Sequence, residues 1–192
     1  VLPDMDFMMK RFVTLTSEEM NENQQAVWEE IQSGPRGASP HGPFMAWLQS
    51  PTLADRAQKL GEYLRFHAQM DKRLAELAIL TVARHWTAQF EWFAHKKFAL
   101  EAGLARHVID SIQNHERPNF ANDDEAAVYD FSVELQKTHQ VSDAGYNAVM
   151  KHIGQAGAVD LVGLLGYYTL VSMTLNVYQV NLPDGEPPPL SP

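Results

Sequence analysis

RLAELAILTVARHWTAQFEWFAHKKFALEAGL, residues 73 to 104, decides the fold. Neither glycine nor proline interrupts the chain from Asp71 to Ala102, so punctuation alone permits one long helix. The polar residues argue for two. Glu76 shares a stripe with Ile79, Leu80 and Ala83, and Glu91 and His95 share one with Phe98, Ala99 and Ala102, at the three- and four-residue spacing of a helix face. Three ionisable groups therefore point at an apolar interior. On a continuous helix Glu76 and His95 would stand roughly 28 Å apart. A reversal near His85 to Ala88, with Thr87 as candidate cap, brings them together.

Outward from this hairpin the chain reads as helix after helix. Thr16 and Glu19 form a capping-box signal for a helix from about Ser17 to Ser33, which GPRGASPHGP, residues 34 to 43, interrupts. Ser50-Pro51 opens a helix towards His67, and Asp71 caps the next. Gly103 ends the second hairpin helix, and a short helix spans about Ala105 to Asn114. Asn122 with Glu125 signals a helix to about Thr138, Ser142 caps a short one, and an apolar helix from about Ala156 to Val180 closes the domain. PDGEPPPLSP is an extended tail that loses little entropy on docking, which suits a crossing onto a neighbouring subunit. The organisation is an N-terminal extension over residues 1–50, a helical domain over 51–180 and a proline-rich tail over 181–192.

Composition narrows the function. With 24 acidic against 15 basic residues the net charge is −9, and no Lys/Arg stripe tracks a phosphate backbone, so nucleic acid is excluded as a partner. There is no cysteine, which removes disulfides, thiolate nucleophiles and Cys-ligated zinc. Asp4 and Asp6 stand where a signal peptide needs a basic start, so a cytoplasmic location is expected. Leu161 to Val180 is uncharged over a bilayer-spanning length. Thr169, Ser172, Thr174, Asn176 and Gln179 within it favour a buried core or subunit-interface helix over a membrane span, with Gly163 and Gly166 permitting close approach.

A carboxylate and an imidazole in one apolar pocket exchange roles as proton donor and acceptor near neutral pH. Glu91 and His95 have this character, with Glu76 as a third member; the alternative is a structural pair that satisfies itself. A metal set of Glu76, Glu91 and His95 with His67 or His85 is a further reading, although no zinc-protease or di-iron spacing accompanies it and no metal is expected. His41, His107, His115, His139 and His152 have no ligand-like spacing and belong at surfaces or helix ends. Trp86, Trp92, Phe93 and Phe98 read as packing, and Lys96 and Lys97 as the solvated side.

Residues 73 to 104 resemble the core of the carboxymuconolactone decarboxylase-like family, which includes alkylhydroperoxidase D relatives; the likeness extends more loosely from Leu53 to VDLVGLLGYYTLVSMTLN. The resemblance implies an all-α, alkylhydroperoxidase D-like helical bundle that forms a homo-oligomer, a trimer or hexamer. In the peroxidase branch a Cys-x-x-Cys precedes the histidine and a glutamate one helix earlier completes a proton relay. Glu76 and His95 match that glutamate and histidine, while Ala88 and Glu91 occupy the cysteine positions. The decarboxylase branch is similar in its Glu-x-x-x-His, which Glu91 and His95 reproduce. The pattern mixes the two.

The expected function is a cofactor-independent lyase or isomerase acting on a small unsaturated, oxygenated acid or lactone. His95 exchanges the proton, Glu91 orients it, Glu76 is a second acid/base, and His85 and Gln89 line the pocket. Arg73 and Arg84 are candidates for a substrate carboxylate. The alternative is a non-catalytic oligomeric protein that binds a small molecule in the same pocket. Because the chain has no cysteine, metal-free protein is expected to show no thiol-dependent turnover of an organic hydroperoxide with a dithiol reductant. Peroxide consumption above a protein-free control is the measurement that overturns this.

Overall fold

The computed structural model describes residues 11, 14–36, 41–183 and 186–191, and no strand occurs among them. The helices are α1 (Glu22–Ser33), α2 (Pro43–Trp47), α3 (Pro51–Glu62), α4 (Lys72–His85), α5 (Gln89–Glu101), α6 (Arg106–Gln113), α7 (Asp123–Thr138) and α8 (Asp143–Tyr178), with a π-helical turn, Tyr63–His67, after α3. Leu77, Ala78, Ile79, Leu80, Val82 and Ala83 are all buried, so α4 is apolar nearly all round and takes the centre. It packs against α5, α6, α7 and α8.

The predicted reversal is present. Helix α4 stops because Thr87 takes a left-handed φ of 47° and Ala88 is extended, while the Ala88 amide returns to the Ala83 carbonyl at 2.8 Å. Thr87 is not the cap, as Ala88 holds that place without a side-chain bond; the Thr87 hydroxyl accepts from Arg84 Nη1 instead. Asp71 and Ser142 cap as expected, through Arg73 N–H and Gly145 N–H.

Two capping signals form differently. Glu19 accepts from the Thr16 amide and hydroxyl in a turn, and α1 starts later, where Asn21 and Gln24 make a reciprocal capping box. Asn122 precedes α7 without capping it: its side-chain amide donates to Glu125, whose own N–H donates to Asp124. The last two expected helices fuse into α8, with their break surviving as non-helical backbone at Gly154.

Helix α8 is long and apolar enough to cross a membrane, yet Leu161, Leu164, Leu165, Tyr168, Val171 and Leu175 lie buried in the core. The extension joins that core: Trp47 Nε1 donates to Thr174 Oγ1 at 2.9 Å, and Ile31 is buried. The tail docks on its own chain. Gln89 exchanges two hydrogen bonds with the Leu190 backbone, Gln113 donates to Pro189 and Arg84 to Ser191, and Leu190 is only 3% exposed.

Within the chain, close approach occurs at Gly61. Gly163 makes ordinary contact with Leu64 and Gly166 meets nothing, whereas a Cβ on Gly61 would lie 2.1 Å from the Tyr167 hydroxyl. Helix propensity alone favours Gly61→Ala by about 1 kcal/mol. Overpacking against a buried ring costs roughly 1–3 kcal/mol and outweighs it. Gly61→Ala is therefore expected to lower stability in denaturant unfolding; a gain overturns the packing assigned to Tyr167.

Candidate active site

Glu76 enters the interior from the middle of α4, and Glu91 and His95 face it from successive turns of α5. His95 Nδ1 stands 2.7 Å from Glu76 Oε2 in a hydrogen bond. On the other side Nε2 is 3.0 Å from Glu91 Oε1, an ion-pair contact without hydrogen-bond alignment. Glu91 Oε1 is thus buried with no hydrogen-bond partner among the described residues. The four-residue spacing within one helix explains the contrast, since Glu91 must reach along its own helix while Glu76 approaches from a facing one.

Burial alone pushes the His95 imidazole towards neutrality, but the charges of Glu76 and then Glu91 prevail and raise its pKa from 6.5 to about 9. At neutral pH it is an imidazolium between two carboxylates. The edges of Phe98 and Tyr168 close on the ring at centroid distances of 5.6 and 5.1 Å. Burial raises the Tyr168 hydroxyl well above its ordinary range and that of Tyr167 to about 12, so both are neutral.

His95 and Glu91 form one wall of a cavity of about 320 Å3, near the lower end of the range for small-molecule sites. Phe44, Phe90, Phe98 and Tyr168 supply an apolar lining. Arg36 and Arg65 bring positive charge from the α1–α2 linker and the π-helical turn. Glu76 lines a second cavity, of about 310 Å3, with Lys72 and Glu101, and Arg65 and Phe98 border both spaces. The carboxylate–imidazolium–carboxylate row therefore runs from one cavity to the other.

The three expected acid/base residues meet, but the expected lining does not. Gln89 is occupied by Leu190 and faces a different, open cleft under the tail. His85, at the end of α4, does not border the cavity; burial lowers its pKa, as do Lys137 and His139. Arg73 is paired with Asp124 and Glu125, and Arg84 with Thr87 and Ser191, so neither serves the cavity. His41 is exposed, as expected of a surface histidine, yet it borders the cavity beside Phe90. Arg36, Arg65, Tyr167 and Tyr168 had no distinguishing signal: a lone arginine in a Gly/Pro loop and two tyrosines in an uncharged helix.

A metal set does not assemble among the described residues. Both imidazole nitrogens face carboxylates on opposite sides, His67 lies by Glu62, and His85 packs on Trp86. Neither extra histidine joins His95.

The raised His95 pKa fixes a sign. Stabilisation from its charge is fully present below the unfolded value of 6.5 and disappears as pH rises through about 9. The full effect is on the order of 3 kcal/mol. Imidazole NMR is expected to show His95 still protonated at pH 8; titration near 6.5 overturns the charge assignment.

No family model and no curated protein matches the chain. A solved structure does: the alkylhydroperoxidase AhpD core of an uncharacterized peroxidase-related protein from Ralstonia eutropha JMP134. It superposes with a TM-score of 0.74 at 16% identity, covering 91% of this chain and 92% of that one. Sequence identity at that level speaks for the fold alone. The chain has the all-α alkylhydroperoxidase D-like fold.

Proposed function

We propose that the chain is a cofactor-independent lyase or isomerase working by acid/base chemistry on a small unsaturated, oxygenated acid or lactone. The observation that carries this reading is an imidazolium clamped by two carboxylates on the wall of an aromatic cavity. As a lyase, it breaks the bond from carbon to a carboxylate, carbon dioxide leaves, and the electron pair stays on carbon as an enolate. His95 then gives its proton to that carbon. As an isomerase, Glu91 removes a proton from carbon and His95 returns one at the conjugated position. In both cases the imidazolium opposes the charge that develops, and the excluded water strengthens that interaction.

Self-association completes the proposal. Val159, Val162, Gly166, Met173 and Val177 form an exposed stripe on the face of α8 turned away from the core, suited to a second copy of the chain.

Glu91→Gln and His95→Asn keep shape and polarity while removing acid/base capacity. Each is expected to abolish most turnover of an unsaturated lactone or acid, with the helical signal retained, and the double variant to lose little more than either single. A structural pair gives the opposite pattern, in which each change costs roughly 1–3 kcal/mol of stability and turnover survives in the folded fraction. Thermal melts and turnover on the three variants distinguish them.

A further inference from the structure

A lyase that releases carbon dioxide consumes one proton per turnover. The bond from carbon to carboxylate breaks, carbon dioxide leaves, and the enolate carbon takes the proton from His95 Nε2, which is left neutral. Its replacement reaches Nε2 through the cavity, because Nδ1 is held by Glu76 and the ring is only 6% exposed. Most of the wall has no proton to give. Tyr168 sits well above the ordinary tyrosine range and Tyr167 at about 12, so both keep their protons at neutral pH, as do the guanidinium groups of Arg36 and Arg65.

His41 is different. Of the ionisable residues described on the wall, it is the one exposed to solvent. Its loop is fixed over the first turn of α5. Gly42 takes a left-handed φ of 61°, a Cβ there would lie 2.8 Å from Phe90 Cε1, and the Phe44 amide donates to the His41 carbonyl at 3.4 Å. The imidazole stands 6.3 Å from the Phe90 ring, centroid to centroid, and Phe90 directly precedes Glu91. His41 therefore joins solvent to the space that Glu91 and His95 line.

We infer that His41 is a proton shuttle, which takes protons from solvent and passes them across the cavity to His95. This rests on the proposed acid/base reading in its lyase form, since isomerisation returns its proton within the Glu91–His95 pair and needs no supply. Imidazole suits the task, because one ring nitrogen can receive a proton while the other releases one. A cavity of about 320 Å3, with guanidinium and hydroxyl groups on its wall, has room for several waters to bridge the two rings once product has left. His41 does not act on the reacting carbon; it restores the proton that His95 has given up.

Proton exchange at His95 tests this without a substrate. In protein labelled with nitrogen-15 histidine, at low buffer concentration and near neutral pH, NMR follows exchange of the His95 Nε2–H with water. His41→Ala is expected to slow that exchange about tenfold or more, and added imidazole to restore it. His41→Gln, which keeps size and polarity, is expected to slow it equally and serves if His41→Ala does not fold. His107→Ala, at an exposed histidine of α6 bonded to the Asn119 carbonyl, is the control and leaves exchange unchanged. Unaltered exchange in His41→Ala, a slowing that imidazole does not relieve, or exchange too fast to resolve in wild type and variant alike overturns the shuttle. Failure of the acid/base reading looks different: exchange still depends on His41, but turnover of an unsaturated lactone or acid survives His95→Asn.

Discussion

The rest of the structure depends on keeping His95 charged in a dry interior. An imidazolium removed from water is tolerated only if opposite charge stands against it, and two carboxylates supply that charge. Glu91 comes free with the helix, four residues away. Glu76 does not, because it belongs to the preceding helix and reaches His95 only if the chain reverses between them. The left-handed Thr87 and extended Ala88 make that reversal, and the apolar circumference of α4 holds it by packing into the centre. Backbone strain at one residue and burial of one helix thus serve a single ion triad.

This explains which parts were legible in the sequence. Helical faces are local, so the inward stripe of Glu76 and that of Glu91 and His95 could be read from spacing alone, and the need to unite them located the turn without any glycine or proline to mark it. Caps were less legible. Thr16 and Glu19 do bond each other, but in a turn that ends before α1, and at Asn122 the neighbouring Asp124 takes the Glu125 amide. The cavity lining was least legible, since it joins residues far apart in the chain. Nothing local distinguishes Arg36 from other loop arginines, and Gln89 looked like a site residue although its partner, Leu190, lies about a hundred positions away.

The extension and the tail solve different problems around the same hairpin. The extension brings Phe44 and Arg36 over the open side of His95 and Glu91, giving the cavity its far wall. The tail seals α5 behind them, with Leu190 in the core and Gln89 satisfied by its backbone. Gly61 links the first of these to α8, for its missing side chain is what lets the Tyr167 hydroxyl and Arg36 Nη2 share one site.

The unequal engagement of the two carboxylates gives the triad a direction. Glu76 is hydrogen-bonded to Nδ1, so it fixes the orientation of the ring and holds one imidazole proton in place. Glu91 contributes charge to Nε2 without claiming its hydrogen-bond direction, and both residues line the aromatic cavity. A proton leaving His95 therefore leaves from Nε2, because loss from Nδ1 forfeits an aligned bond to a buried carboxylate. Once it has gone, Glu76 still favours the Nδ1–H tautomer, and the neutral ring presents a lone pair at Nε2 ready to take a proton back. The second cavity reaches Glu76 from behind, beside Lys72 and Glu101, while the side facing Glu91 is lined by aromatic rings. In the proposed acid/base reading, donor and acceptor states alternate at this one nitrogen, with the surrounding frame unchanged.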